Sequence, residues 1–252
     1  MIQGAVGRQD LHATVARRIL NAMGIRPRVV MSYAQSLDGR IATRTGASRW
    51  ISGDETLKLA HHLRADHDAI LVGIGTVLRD DPELTCRVGD CVSPIRVILD
   101  AELRTPPDAR VFNRIQEVPT IIVCSTTASH DAPERAHALV GAGAEIVTAA
   151  VDAAGYLALR SVLAAIAARR LRSVFVEGGS RVITAFYRER LVDRAYIVVA
   201  PILIGSGVDS VGELGVAELT EAYRPRVVSV TPYGNDMVWE LEFPDAENDD
   251  AV

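Results

Sequence analysis

The sequence predicts an α/β fold: a mostly parallel central sheet with an antiparallel C-terminal edge and helices on both faces. Three observations predict it. Short, near-continuous apolar runs recur along the chain, helical patterns separate several of them, and the last runs follow one another with no helix between. A strand covered on both faces loses the apolar-polar alternation of a half-exposed one, so a run such as DAILVGI reads as central.

Taken in order, Leu11, Val15, Ile19 and Leu20 sit at helical spacing over 10–23, and Arg17 and Arg18 lie late in that stretch, where cations suit the helix dipole. A leading helix ending near Gly24 is expected. Pro27 opens RVVMSYAQ, a β-branched run read as a buried strand. The turn-prone SLDGRIATRTGASRWISGD follows, a long polar loop of the kind that usually serves function. Ser52 or Asp54 is positioned to cap a helix running to about His67, and DAILVGI supplies the next strand. Further strands are expected at 95–99, 120–124, 145–148, 173–177, 195–200, 227–230 and 236–243, with helices at 132–141, 156–170 and 179–190.

Composition excludes several classes. With 27 basic and 32 acidic residues the net charge is −5, which gives no general attraction to nucleic acid. The N-terminus lacks the apolar core of a signal peptide, and no apolar run approaches the roughly 20 residues that span a bilayer, so a soluble protein with no membrane partner is expected. Cys86, Cys91 and Cys124 are odd in number and lack C-x-x-C spacing, which fits neither a disulfide scaffold nor a zinc site. A reducing cytoplasm is the expected home. Neither H-E-x-x-H nor G-x-S-x-G occurs, so no metal site or serine-hydrolase elbow is expected.

The clearest local signal is VEGGSRVITAFYRERL, where an apolar strand ends at Glu177 and Gly178 and Gly179 precede an amphipathic helix opening at Ser180. Glycines permit unusual dihedrals and close backbone approach, and the free N–H groups of a helix start attract phosphate, although two glycines also serve an ordinary strand-to-helix turn. A second glycine-bearing turn, VGIGTVLRDDPELTCR, leaves the strand over 69–74, and Asp80 there either caps nearby backbone or faces a ligand. Both turns lie at carboxyl ends of strands, where ligands of open α/β sheets collect. Arg64 and Arg87 are candidates for forked phosphate contacts, and Glu177, set after the apolar SVFV, demands a partner. Trp50 in the long loop either packs on a flat heterocycle or pins the loop to the core.

SLDGRIA (36–42), GASRWIS (46–52), LRADHDAILVGIGTVLRDDPELTCR (63–87), PIRVILD (94–100), VEGGS (176–180) and APILIGSG (200–207) together resemble the reductase family of riboflavin biosynthesis, found as the C-terminal domain of bifunctional deaminase/reductases. The resemblance covers residues 28–243 as one reductase domain. It leaves 1–27 as an N-terminal helical extension and 244–252 as an acidic tail. It implies a dihydrofolate-reductase-like fold, a cytoplasmic homodimer, NADPH as cofactor and a phosphorylated pyrimidine as substrate, whose phosphoribosylamino group is reduced to ribitylamino. By the family pattern Ala34, Trp50, Thr76 and Asp80 match cofactor positions. The segment from Gly179 through Ser180, Arg181, Val182 and Ile183 to Ala185 matches the one holding the NADPH phosphates. Ser48, Arg64, Leu84, Arg87 and Glu177 match substrate positions, with Glu177 or Asp80 as candidates for the proton relay. Ser125-Thr126-Thr127 is a further candidate for the cofactor's 2′-phosphate. Two positions depart from the pattern: Ser32 stands where many bacterial relatives carry lysine, and Gln35 replaces a small residue. Nothing matches the H-x-E and P-C-x-x-C of the deaminase zinc site, so both the diamino compound and its deaminated product are implied as substrates.

Overall fold

The computed structural model describes residues 26–243, so the leading helix expected at 10–23 and the acidic tail at 244–252 lie outside the described residues. Among them the chain runs β1 (Arg28–Ser36), β2 (Arg40–Thr43), α1 (Asp54–Ala65), β3 (Ala69–Gly73), α2 (Ile74–Asp80), β4 (Ile95–Leu99), β5 (Thr120–Ser125) and α3 (Thr126–Asp131). It continues through α4 (Pro133–Gly141), β6 (Glu145–Ala149), α5 (Leu159–Ala167), β7 (Ser173–Val176), α6 (Ser180–Arg188), β8 (Arg194–Ala200), β9 (Gly207–Asp209), β10 (Arg226–Tyr233) and β11 (Asp236–Glu242). Nine strands form one sheet in the order β10-β11-β8-β1-β7-β3-β4-β5-β6. From β8 to β6 all neighbours are parallel, whereas β11 runs antiparallel to β8 and β10 antiparallel to β11. The mostly parallel sheet with its antiparallel C-terminal edge is therefore the architecture expected.

The unbroken apolar runs have a simple cause. In β3, Ala69 and Leu71 point into a core shared with Leu163 of α5 and Ile183 and Phe186 of α6. Ile70 and Val72 point the other way, against Leu63 of α1, Val77 of α2 and Leu139 of α4. Every position of the strand before Gly73 is buried, and each fully buried Leu or Ile contributes roughly 1.5–3 kcal/mol, so polar residues are excluded from both faces. α5 starts later than expected because the Asp152 carboxylate accepts the N–H groups of Ala154 and Tyr156 at 2.9 Å each, closing a turn in front of it.

Four local expectations are corrected. The long polar loop contains β2, which pairs antiparallel with β9; neither RIAT nor GVD carries an apolar period that announces a strand. The segment after Gly73 is a helix, α2, rather than an extended turn, because Ile74 and Val77 both reach the core from one face. The cap of α1 comes from neither Ser52 nor Asp54. Gly53 is the N-cap, and buried Asp236 of β11 accepts from the Gly53 N–H at 2.7 Å and the Thr56 hydroxyl at 3.0 Å. Finally, Cys86 and Cys91 form a disulfide while Cys124 is free and buried. The bond closes a small surface loop over a separation of 5 residues, a local pairing that counting cysteines could not reveal, and it removes the cysteine argument for a reducing compartment. No helix among the described residues is long and apolar enough to cross a membrane.

Candidate active site

The site gathers at the carboxyl ends of β1, β7 and β3. β7 stops at Val176, and the Glu177 N–H still donates to the Leu71 carbonyl of β3 at 3.0 Å, which fixes the Glu177 backbone at the end of the ladder. The two glycines that follow have distinct reasons. A Cβ on Gly178 would stand 2.6 Å from the Val182 Cβ, and one on Gly73 would stand 2.9 Å from the Val182 Cγ2. Both glycines therefore admit Val182, letting the first turn of α6 settle between the ends of β3 and β7. A Cβ on Gly179, by contrast, would meet nothing within 4 Å. Gly179 is the N-cap of α6 in ordinary extended conformation, φ −75° and ψ 172°, and it lends no side-chain cap. The expectation that this pair supplies unusual dihedrals is thus corrected to close packing at Gly178 and open approach at Gly179. The start of α6 at Ser180 and Arg181 is left to an outside acceptor, since the Gly179 carbonyl takes the N–H groups of Val182 and Ile183.

Glu177 finds the partner its setting requires. Arg64, near the end of α1, grips it with both faces of the fork: Nε to Oε1 at 2.8 Å and Nη2 to Oε2 at 2.7 Å. Arg64 Nη1 also donates to the Thr85 carbonyl at 3.2 Å, so one guanidinium joins α1, the β7 end and the loop after α2. Burial alone would lower the Arg64 pKa, but the charge and hydrogen bonds of Glu177 outweigh it and hold the cation firmly. The side chains remain 15% and 19% exposed, enough for a ligand to reach both.

The other residues the sequence singled out are spread over several elements. Arg87, two positions past Thr85, is exposed in the loop closed by the Cys86–Cys91 bond. Leu84 is buried in the core at φ 55°, so only its backbone is offered to a ligand, and this left-handed conformation is uncommon for such a side chain. Arg49 donates to the Asp80 carbonyl at 2.9 Å, which ties the long loop to the end of α2 and brings Ser48 and Trp50 close to Asp80. Trp50 is 69% exposed, with the Arg49 guanidinium over its ring 5.9 Å from the centre, so the ring does not pin the loop to the core. Ala34 near the end of β1 and Thr76 in the first turn of α2 are half-buried. Ser125 is spent as a cap, its hydroxyl accepting the Ala128 N–H at 2.9 Å at the start of short α3. His67 and Asp68 are structural: the imidazole stacks on Phe175, and Asp68 accepts the N–H groups of Arg172 and Ser173 at 2.7 and 3.0 Å.

Two residues outside the candidate set also have defined partners. Asp38, in SLDG, accepts from the Ser36 hydroxyl at 2.6 Å and from the Gly205 and Ile204 N–H groups at 2.6 and 3.1 Å, which stitches that turn to the ILIGSG segment. The Ser36 hydroxyl and these two amides lower its pKa to about 2. His61, one turn before Arg64 on α1, has Nδ1 3.5 Å from Arg64 Nη1. The i, i+3 spacing of His61 and Arg64 was the available signal.

Together these features define an α/β protein whose candidate site combines an Arg–Glu pair, an exposed arginine and a glycine-opened helix start. The RibD C-terminal domain family profile matches residues 27–239, and the chain belongs to that family. The chain is 37% identical over 214 residues to the riboflavin biosynthesis protein RibD of Aquifex aeolicus, covering 84% of this chain and 57% of that protein. It is 38% identical over 222 residues to the 2,5-diamino-6-ribosylamino-4(3H)-pyrimidinone 5′-phosphate reductase of Methanothermobacter thermautotrophicus, covering 86% of this chain and 98% of that one. Among solved structures, the Thermotoga maritima diaminohydroxyphosphoribosylaminopyrimidine deaminase/5-amino-6-(5-phosphoribosylamino)uracil reductase superposes with a TM-score of 0.71 at 29% identity, over 90% of this chain and 59% of that chain. The chain thus spans somewhat over half of the RibD relatives it matches and nearly all of the archaeal reductase. The fold is dihydrofolate-reductase-like.

Proposed function

We propose that this chain reduces a phosphoribosylaminopyrimidine to its ribitylamino phosphate with NADPH, acting on the 2,5-diamino compound or its deaminated product. The observation that carries this reading is the bidentate Arg64–Glu177 pair, half-open beside exposed Arg87 and next to the uncapped start of α6. The residues present fit a dinucleotide: Gly179 leaves free space at that helix start, and Trp50 is an exposed aromatic ring next to Arg49, which donates to the Asp80 carbonyl. NADPH, when bound, supplies the hydride.

The chain's own residues do the rest. The first turn of α6, from Gly179 to Ile183, would hold the cofactor phosphates, with Ala34, Trp50, Thr76 and Asp80 along the remainder. Arg64 and Arg87 would hold the substrate phosphate, with Ser48 and the Leu84 backbone beside it. Glu177, locked in place by Arg64, would meet the ring-opened sugar at the carbon being reduced. Reduction of that C=N or C=O bond adds one hydride and one proton, and Glu177 or Asp80, directly or through water, would position the proton. Proteins of this family that work as dimers need an apolar contact surface. Here β10 and β11 expose Val227, Val228, Val230, Met237 and Trp239, which supports a homodimer through that edge and is checked by light scattering on the purified chain.

The deciding experiment follows loss of reduced-nicotinamide absorbance with the diamino and deaminated phosphoribosylaminopyrimidines offered separately. Oxidation with at least one is expected, and with neither the reading fails. Ser32, half-buried on β1 where many relatives carry lysine, favours a second reading: reduction of another small heterocycle or carbonyl compound by the same site. That reading predicts NADPH binding without turnover of either pyrimidine. Arg87→Ala should weaken the pyrimidine about tenfold to 150-fold, the worth of one lost charged hydrogen bond, and leave NADPH binding unchanged.

A further inference from the structure

The substrate phosphate in this reading carries nearly two negative charges, and the cluster built to receive it is short of positive charge. Arg64 is already neutralised by Glu177 through two hydrogen bonds. Arg87 is then the cation left to the phosphate; among the described residues Arg87 makes no ion pair, and the Glu83 carboxylate in the same loop acts on its charge. A phosphate monoester brings about −1.5 to −2 at pH 7, so docking against Arg87 alone leaves the cluster negative.

One further group sits at the seam. His61 lies one turn before Arg64 on α1, half-buried, with Nδ1 3.5 Å from Arg64 Nη1. Its imidazole faces the Thr85 carbonyl, the same oxygen that Arg64 Nη1 reaches at 3.2 Å, and Arg87 is two residues further along that loop. The charged groups acting on it are Arg64 from its own helix, Arg87 from the loop after α2, and Glu177 from the end of β7. Burial first, then the two arginines, push its pKa down, against Glu177 and the Thr85 carbonyl, so the free protein holds a neutral imidazole beside a site for a dianion.

We propose that His61 is a third ligand to the substrate phosphate, joining Arg64 and Arg87, and that it takes up a proton from solvent as the phosphate docks. The proposal rests on the reductase reading for the presence of a phosphate at Arg64 and Arg87. Protonation restores the missing charge and turns Nδ1 and Nε2 both into donors. The two arginines that suppress the charged imidazole in the free protein become partners of the phosphate in the complex, so the one event removes the penalty and adds the attraction. Linkage then fixes the sign. A group whose pKa is higher in the complex than in the free protein strengthens binding below the free value, and that gain is lost as pH rises through the bound value.

The test titrates the histidine Cε1–H proton resonances of the full chain, free and saturated with ribose 5-phosphate, with Gln in place of His61 (His61→Gln) assigning the signal. The His61 midpoint should rise by at least one pH unit with ribose 5-phosphate and stay put with ribose. In parallel, calorimetric affinity for ribose 5-phosphate should improve about three- to sixfold from pH 8 to pH 6 in the wild type relative to His61→Gln, because a one-unit pKa shift reaches its full factor of about ten in binding only below the free value. The ligand's own second ionisation, near pH 6, acts in the opposite direction but equally on both proteins, so the difference between them is the readout. Ribose 5-phosphate binding with an unmoved His61 signal, or an unchanged pH dependence in His61→Gln, overturns the proposal. Absence of ribose 5-phosphate binding overturns it too, and turnover of the pyrimidines in the absorbance assay then shows that the reductase reading itself survives.

Discussion

Two arginines, Arg96 and Arg64, separate what holds this molecule together from its candidate site. Arg96 of β4 is fully buried and makes no ion pair among the described residues; it donates to the carbonyls of Val111 at 2.6 Å, Asn113 at 2.9 Å and Val118 at 3.1 Å. Desolvation lowers its pKa to about 10, yet it stays charged at neutral pH and fastens the 109–120 segment to the sheet. Arg64 is bound instead to Glu177, at the end of a strand and within reach of solvent. A cation that satisfies backbone carbonyls in a closed interior organises chain. A cation held by a carboxylate in a half-open mouth keeps donor capacity and charge where a ligand can meet them.

That contrast is broken most severely at Arg96. Arg96→Met fits the buried volume but strands the Asn113 and Val118 carbonyls, the Val111 carbonyl keeping the Thr120 hydroxyl at 2.7 Å. Since each buried group left unsatisfied costs about 1–3 kcal/mol, a loss of at least about 2 kcal/mol in urea unfolding is expected, with activity per folded molecule retained. Arg64→Met should do the reverse. Glu177 hydrates once its partner is gone, so stability should fall by less than about 1.5 kcal/mol, while kcat/KM for the pyrimidine should fall at least about a hundredfold as charged contacts in the site are lost. If Arg64→Met proves the more destabilising of the two, the division between clasp and site is wrong.

Some of this was legible in the sequence, for identifiable reasons. The central strands announced themselves because burial on both faces excludes polar residues from stretches such as AILV, and the parallel order followed from the helices between them. Glu177 and Arg64 were each conspicuous, one for a carboxylate after an apolar strand and the other for its place near a helix end. Their pairing was not, because it joins residues 113 positions apart. Asp236 capping α1 across 183 positions and the β2–β9 ladder stayed hidden for the same reason: nothing local marks the partner. The disulfide was missed on composition, where three cysteines without C-x-x-C spacing fitted no disulfide scaffold.

A smaller effect separates the two glycines after Glu177. Gly178→Ala would push a Cβ to 2.6 Å from Val182, and overpacking of this kind costs about 1–3 kcal/mol, so lower stability and weaker NADPH binding are expected together as α6 shifts. Gly179→Ala has room for its methyl group. It should leave the denaturation midpoint nearly unchanged and raise only the KM for NADPH, which fluorescence titration and steady-state rates resolve.

The smallest expected effect concerns charge that is neither clasp nor ligand site. Asp38 holds the SLDG turn to the ILIGSG segment through the Gly205 and Ile204 amides, and its pKa of about 2 lies below the roughly 3.9 of an unfolded aspartate. A carboxylate whose pKa is depressed by folding adds stability that is complete above the unfolded value and disappears as pH falls through the folded one. Asp38→Asn removes that contribution at every pH. The thermal midpoint of Asp38→Asn should therefore lie slightly below wild type at pH 7, and the gap should close between about pH 4 and pH 2, the interval bounded by the two pKa values. The same substitution in the Arg64→Met background should produce an unchanged gap, because the tether and the Arg–Glu pair share no partner. A gap that depends on Arg64 would mean that the turn and the candidate site move as one body.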